Sequence, residues 1–277
     1  MWRKSKEMET KRTSKDIAVV TGAGSGVGAA TVALFRARGV VTFGIDLVDA
    51  PPADDAPGEY HHIVGDAGDS AIWETIITRS RSEFNAAPNI VVFNAARLII
   101  GSAATLNAED WDAVFDVNLF GPVRALKQLI PHMASRGGGS VVFVNSSDGL
   151  VAEQNLAAYC SSKGAALQLM RAVAVDHARQ GIRSNAVCPG SIETPFFMRH
   201  VHAAPDPDAF LDAKTQRHPI GRLLQPEDVA LVIDFLSSTA ASGVTGVALP
   251  VDGGLTTTFD FYPDQALKEA RMSEASS

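Results

Sequence analysis

Tyr159 and Lys163 stand four residues apart in a stretch, 157–180, whose pattern predicts a helix. Residues at that interval share a helical face, so the phenol and the ammonium point into the same space. A free tyrosine has a pKa of about 10, and a nearby cation lowers it by favouring phenolate. A shift of ~3 units corresponds to roughly 4 kcal/mol of differential stabilisation. The chemistry on offer is proton transfer by a phenol, without a metal. The same spacing also arises on ordinary helices, so it needs partners. Ser146 is one, because it follows a β-branched run, 141–144, at the carboxyl edge where open α/β sheets place their ligands. A hydroxyl there can hold a substrate oxygen while the phenol exchanges its proton. Asn118 falls inside a long helical pattern where asparagine is unfavourable. Either it caps a kink or it binds something in the cleft.

A second group of residues suits a dinucleotide. Thr21-Gly22-Ala23-Gly24-Ser25-Gly26-Val27-Gly28 lies between a short apolar run, 17–20, and a helical stretch, 26–38. Glycines let the backbone turn sharply and approach a pyrophosphate that side chains would block. The helix N-terminus adds free N–H groups and a partial positive charge. A loose glycine pattern is weak alone, and its place between strand and helix is what gives it meaning. Gly22, Ser25, Gly26, Val27 and Gly28 are the candidate contacts. Asp46 ends the next strand, where a carboxylate can accept from both adenosine ribose hydroxyls and would repel a 2′-phosphate. Between Arg38 and Arg79 there is no lysine or arginine. NAD is therefore expected over NADP, with Arg36 and Arg38 as the only nearby cations to account for. Asp66 is a candidate partner for the adenine edge, with Ala67 contributing backbone; a turn-forming aspartate is the alternative.

These groups need a scaffold, and the chain alternates apolar runs with amphipathic stretches. Strands are expected at 17–20, 40–45, 62–64, 90–93, 140–144, 182–187 and 247–251. Helices are expected at 26–38, 107–135, 157–180 and from about 226, with Asn107 as a cap and Gly137-Gly138-Gly139 as a breaker. Such alternation calls for a Rossmann-like, doubly wound parallel sheet of about seven strands with helices on both faces. No linker or repeat divides it, so one domain over 16–256 is expected. Residues 1–15 and 257–277 read as tails, and 191–218 as a mobile substrate loop with short helices.

Thr21-Gly-X3-Gly-X-Gly, Asn118, Ser146, Tyr159-X3-Lys163 and Pro189-Gly190 occur in the order of the short-chain dehydrogenase/reductase family, which the chain resembles from 16 to about 256. The resemblance implies an NAD-dependent oxidoreductase moving hydride between nicotinamide and a secondary alcohol or ketone. Tyr159 would be the acid/base, Ser146 would orient the reacting oxygen, and Lys163 would lower the tyrosine pKa and hold the nicotinamide ribose. Asn118 would hold a relay water. Ser146 is preferred to Ser147 because it stands 13 residues before Tyr159, as in relatives. The resemblance also assigns Asn94 and Ala95 beneath the adenosine ribose, and Pro189, Ile192 and Thr194 against the nicotinamide amide. Ala96 departs from the usual glycine, so the loop bearing Arg97 is expected to run differently. Relatives are often tetramers, which implies a homo-oligomer, tetramer or dimer.

Phe196, Phe197 and Met198, with Ile99, Leu150, Val151 and Leu156, suggest an apolar pocket and a small apolar alcohol or ketone. His200 and His202 lack metal-ligand spacing, and no metal is expected. With 24 basic and 31 acidic residues the formal charge is −7, which points to neither nucleic acid nor an anionic membrane. No apolar run reaches membrane-spanning length. Two cysteines, Cys160 and Cys188, fit a reducing, cytoplasmic setting. A nucleotide-binding sensor or scaffold without turnover is the alternative, opposed by Ser146, Tyr159 and Lys163 all being present. An epimerase or dehydratase is opposed by the glycine spacing and the chain length.

Overall fold

The computed structural model describes residues 16–49 and 57–258. Seven strands form one parallel sheet: β1 (Ile17–Thr21), β2 (Val41–Asp46), β3 (Tyr60–Val64), β4 (Ile90–Phe93), β5 (Gly139–Val144), β6 (Ile182–Pro189) and β7 (Ala248–Val251). Their order is β3-β2-β1-β4-β5-β6-β7, so the winding reverses between β1 and β4. Ligands of such sheets sit at the carboxyl ends beside that reversal. Thr21, Asp46, Phe93 and Val144 are the residues that end the strands there.

Alternate strand residues serve opposite faces, because strand side chains have a period of two. Val19, Phe43, Val91 and Val141 pack with α2 (Ser70–Phe84), α4 (Gly121–Ser135) and α5 (Ala157–His177), through Trp73, Leu129 and Met170. Val20, Val92 and Val142 pack the other way, against Phe35 of α1 (Gly26–Ala37) and Ile233 of α8 (Pro226–Ser237). With both faces covered, the inner strands read as unbroken apolar runs. That is why four-residue stretches such as Ile17-Ala18-Val19-Val20 were sufficient to locate them.

Two features differ from the sequence expectations. Helix α2 was not anticipated, although Asp69 caps it by accepting from Ala71 N at 2.9 Å and Ile72, Trp73, Ile76 and Ile77 form a helical stripe. The single helix expected over 107–135 is α3 (Ala108–Phe115), a π-helical turn (Asp116–Phe120) and α4. Asn107 does open it, in a reciprocal cap with Asp110. Segment 191–218 holds two helices, α6 (Pro195–His202) and α7 (Pro207–Gln216), capped by Thr194 and Asp206. The tails expected at 1–15 and 257–277 lie outside the described residues, apart from Thr257 and Thr258.

Candidate active site

Glycines and two polar staples shape the β1–α1 loop. Thr21 Oγ1 accepts from Asn94 N and Ala95 N, both at 3.0 Å. The Asn94 amide in turn donates to Thr21 O and Gly22 O at 2.9 Å. Gly22 has φ +65°, and a Cβ there would lie 2.9 Å from that same amide. A Cβ on Gly28 would sit 1.9 Å from Gly22 O, so Gly28 shapes the loop from behind. Ser25 makes no side-chain bond to the first turn of α1, which leaves its amides facing an open cleft.

Asp46 closes the next strand, taking Gly24 N at 2.8 Å and Val48 N at 3.2 Å. Neither suspected cation lines the cleft. Arg36 donates to Gly58 O at 3.1 Å and stacks over Tyr60, and Arg38 pairs with Asp234. Asp66 lines the cleft and closes a turn onto Gly68 N at 2.8 Å. Ala96 is not among the described non-glycine residues with positive φ, which are Asn85 and Asn155. Alanine is therefore not held in the left-handed region that would call for glycine at this position.

Beyond β5, the chain turns into α5 around a buried polar cluster. Asn145 joins the two elements, donating to Lys163 O at 3.0 Å and accepting from Ser146 N at 2.9 Å. Ser146 Oγ donates to Asp148 Oδ2 and accepts from Asp148 N, each at 3.1 Å. Tyr159 and Lys163 are 6% and 4% exposed and share this wall. Lys163 Nζ donates to Val144 O at 2.9 Å and lies 5.5 Å from the Tyr159 ring centroid. Burial pulls the lysine pKa down to about 8.

The Tyr159 phenol is pushed upward, chiefly by burial and then by Asp148, with the bond to Ser146 opposing. In the protein without its cofactor the ammonium is turned to a strand carbonyl, and desolvation dominates the phenol. Asp148, which sequence reasoning overlooked, is itself raised by burial and by Glu153. Its position two residues past Ser146 was the available signal.

The far side is built by the segment after β6. Ser191 N donates to His218 Nε2 at 3.0 Å, so Nδ1 carries the proton given to Lys214 O at 2.7 Å. Thr194 caps α6 through Phe197 N at 3.2 Å, and its methyl fills the space beside Gly26. Asp252 steadies the last turn by accepting from Gly254 N and Thr256 N.

All these walls enclose one cleft of about 810 Å³. It brings together Gly22, Ser25, Gly26, Val27, Asp46, Asp66, Ala67, Asn94, Ala95, Ser146, Tyr159, Lys163, Pro189, Ile192 and Thr194. Two predicted residues are not on its surface. Gly28 is behind the loop. Asn118 is 4% exposed, and its amide is spent on Arg97 N, Arg97 O and Ser162 Oγ at 2.8–2.9 Å. The π-turn around Asn118 favours the kink over a side-chain contact in the cleft. Val151, Leu156, Phe196 and Phe197 supply apolar lining, whereas Ile99, Leu150 and Met198 do not reach it. Ser147 also lines the cleft, but it lacks the bonds that tie Ser146 to Asp148.

Elsewhere, Glu59, His61 and Glu83 gather ligand-type atoms within 4.8 Å. Arg79 donates to His61 Nδ1 at 3.0 Å and to Glu83 at 3.1 Å, so Nε2 keeps its proton and a guanidinium already answers the acid. Among the described residues, no helix is long and apolar enough to cross a membrane.

The chain matches the family model described as Enoyl-(Acyl carrier protein) reductase over residues 22–256. It is 37% identical over 254 residues to the cis-4-hydroxycyclohexanecarboxylate dehydrogenase of Sinomonas cyclohexanicum, covering 87% of this chain and 96% of that one. To the cyclohexanol dehydrogenase of Acinetobacter sp. strain SE19 it is 35% identical over 264 residues, covering 91% and 98%. The ligand-free aldohexose dehydrogenase of Thermoplasma acidophilum superposes with a TM-score of 0.81 at 30% identity, covering 90% of this chain and 97% of that structure.

Proposed function

The chain belongs to the short-chain dehydrogenase/reductase family of NAD(P)-linked oxidoreductases, and from that premise we propose that it interconverts a secondary alcohol and its ketone with NAD(H). The observation that carries this reading is the buried Tyr159 phenol, beside Ser146 and one turn from Lys163, opening on the same cleft as the glycine loop. The fit to a dinucleotide rests on a loop that added Cβ atoms would fill, on the uncapped first turn of α1 and on the strand-end carboxylate of Asp46. When bound, that cofactor supplies the hydride acceptor or donor.

The residues of the chain would do the rest. Ser146 Oγ holds the reacting oxygen, exchanging its bond to Asp148 for one to the substrate. Tyr159 gives its proton to that oxygen in reduction and takes it back in oxidation. A raised phenol pKa keeps the proton on Tyr159 near neutrality, which suits ketone reduction. Oxidation needs phenolate, and Lys163, still largely protonated at pH 7, is the cation at hand. Preference for NAD is supported by Asp46 and by Arg36 and Arg38 being held elsewhere. The apolar lining favours a carbinol with a hydrocarbon body. We also take the protein to be a cytoplasmic homo-oligomer, and exposed Phe120 of the π-helical turn, Val123 of α4 and Val175 of α5 are suited to subunit contact.

The test is a panel of secondary alcohols and ketones, followed by the absorbance of reduced nicotinamide with NAD and with NADP. Tyr159→Phe is expected to lower kcat by about 10³-fold. A variant within tenfold of wild type would remove the phenol from the mechanism.

A further inference from the structure

Helix α7 presents Lys214 and its C-cap residue Arg217 to the cleft, one helical turn apart. Arg199 and His200 of α6 line it as well. Lys214 is 7% exposed, with its ammonium on the Glu153 carboxylate and 5.2 Å from the Phe210 ring centroid. The lysine is buried and the carboxylate half-buried, a setting in which desolvation offsets much of an ion pair's attraction. Packing alone therefore gives little reason to keep a lysine there. Among the described residues, Glu153 is within ion-pair distance of Lys214 alone. Arg199 and Arg217 are exposed and have no carboxylate within ion-pair distance among the described residues.

Set against Glu153 and Asp148, these three cations leave the wall net positive in a chain of formal charge −7. Asp148 interacts electrostatically with both Lys163 and Lys214, so the cationic wall lies within reach of the reacting end. Behind Glu153, His200, Lys214 and Arg217 is a second cavity of about 480 Å³, which gives room beyond the ion pair.

We propose that this wall is a carboxylate subsite: the substrate is an apolar secondary hydroxy acid or keto acid whose carboxylate binds Arg217 and Lys214, displacing Glu153 from the lysine. This rests on the dehydrogenase reading above and names its substrate class. Arg217 offers the planar fork that matches a carboxylate, and Lys214 a point charge in low dielectric. His218 links this helix to the segment at Ser191, so occupancy of the subsite bears on the wall next to the reacting carbon.

Calorimetric titration of the holoprotein, with NAD present, uses cyclohexanecarboxylate and cyclohexanecarboxamide as probes that cannot be oxidised at a carbinol. The acid is expected to bind at least tenfold more tightly than the amide. Arg217→Met, at an exposed position that leaves folding intact, is expected to cut that preference below threefold. Equal affinity for acid and amide, or a preference that survives Arg217→Met, overturns the proposal. Turnover of hydroxycyclohexanecarboxylates is scored separately. Acid-selective binding without oxidation of any alcohol establishes the subsite and sinks the dehydrogenase reading instead.

Discussion

Lys163→Met should stabilise the fold while removing activity. The ammonium is 4% exposed and keeps one hydrogen bond, to Val144 O at 2.9 Å. Burial takes its pKa from 10.5 to about 8. Below pH 8 the group is charged in both folded and unfolded chains, and the gap of about 2.5 units destabilises the fold by roughly 3 kcal/mol. Methionine keeps the unbranched stem and removes the charge, but leaves Val144 O without that donor, at a cost of about 1–2 kcal/mol. The net expectation at pH 7 is a gain of about 1–2 kcal/mol, or ~2–8 °C in Tm.

The pH dependence gives an independent check. A lysine with a lowered folded pKa carries its full penalty below that value. The penalty relaxes between 8 and 10.5, where the folded lysine is neutral and the unfolded one still charged. Wild type should therefore close about 1.3 kcal/mol of the difference between pH 7 and pH 9. Urea unfolding of both proteins without cofactor, followed by circular dichroism, measures this. A variant less stable than wild type at pH 7, or a difference that does not narrow at pH 9, refutes the reasoning.

Asp46→Ala removes the acceptor for the ribose hydroxyls and the repulsion of a 2′-phosphate. The NAD-to-NADP ratio of kcat/KM should fall at least tenfold, and an unchanged ratio would take cofactor choice away from this carboxylate. Gly28→Val places a Cβ against Gly22 O. Dinucleotide affinity, read by quenching of tryptophan fluorescence, should weaken at least tenfold, although residue 28 itself does not line the cleft; undiminished affinity would show that the loop has slack.

Local sequence determined much of this protein because several of its signals depend only on near neighbours. The inner strands are covered on both faces, so short β-branched runs such as Val141-Val142-Phe143-Val144 locate them. The four-residue interval from Tyr159 to Lys163 sets them on one helical face, and the glycines after Thr21 fix a turn that side chains would block. Helix α2 escaped notice because a short stripe with serines and threonines carries a weak local signal, and its helicity comes from packing Trp73 against the sheet.

What tertiary structure decided depends on groups far apart in the chain. Whether Arg36 and Arg38 face the cofactor end turned on Gly58 and Asp234, partners that no local pattern indicates. Asn118 was recognised as out of place in a helix, but only the meeting of the π-turn with Arg97 and Ser162 shows where its amide is spent. The direction of the Tyr159 shift follows from desolvation and from Asp148, and desolvation is a property of the assembled interior. The cations of α7 join the cleft because the segment after β6 forms one of its walls beside the strand ends. Spacing along the chain fixes faces and turns; burial and charge balance exist only once distant segments exclude water together.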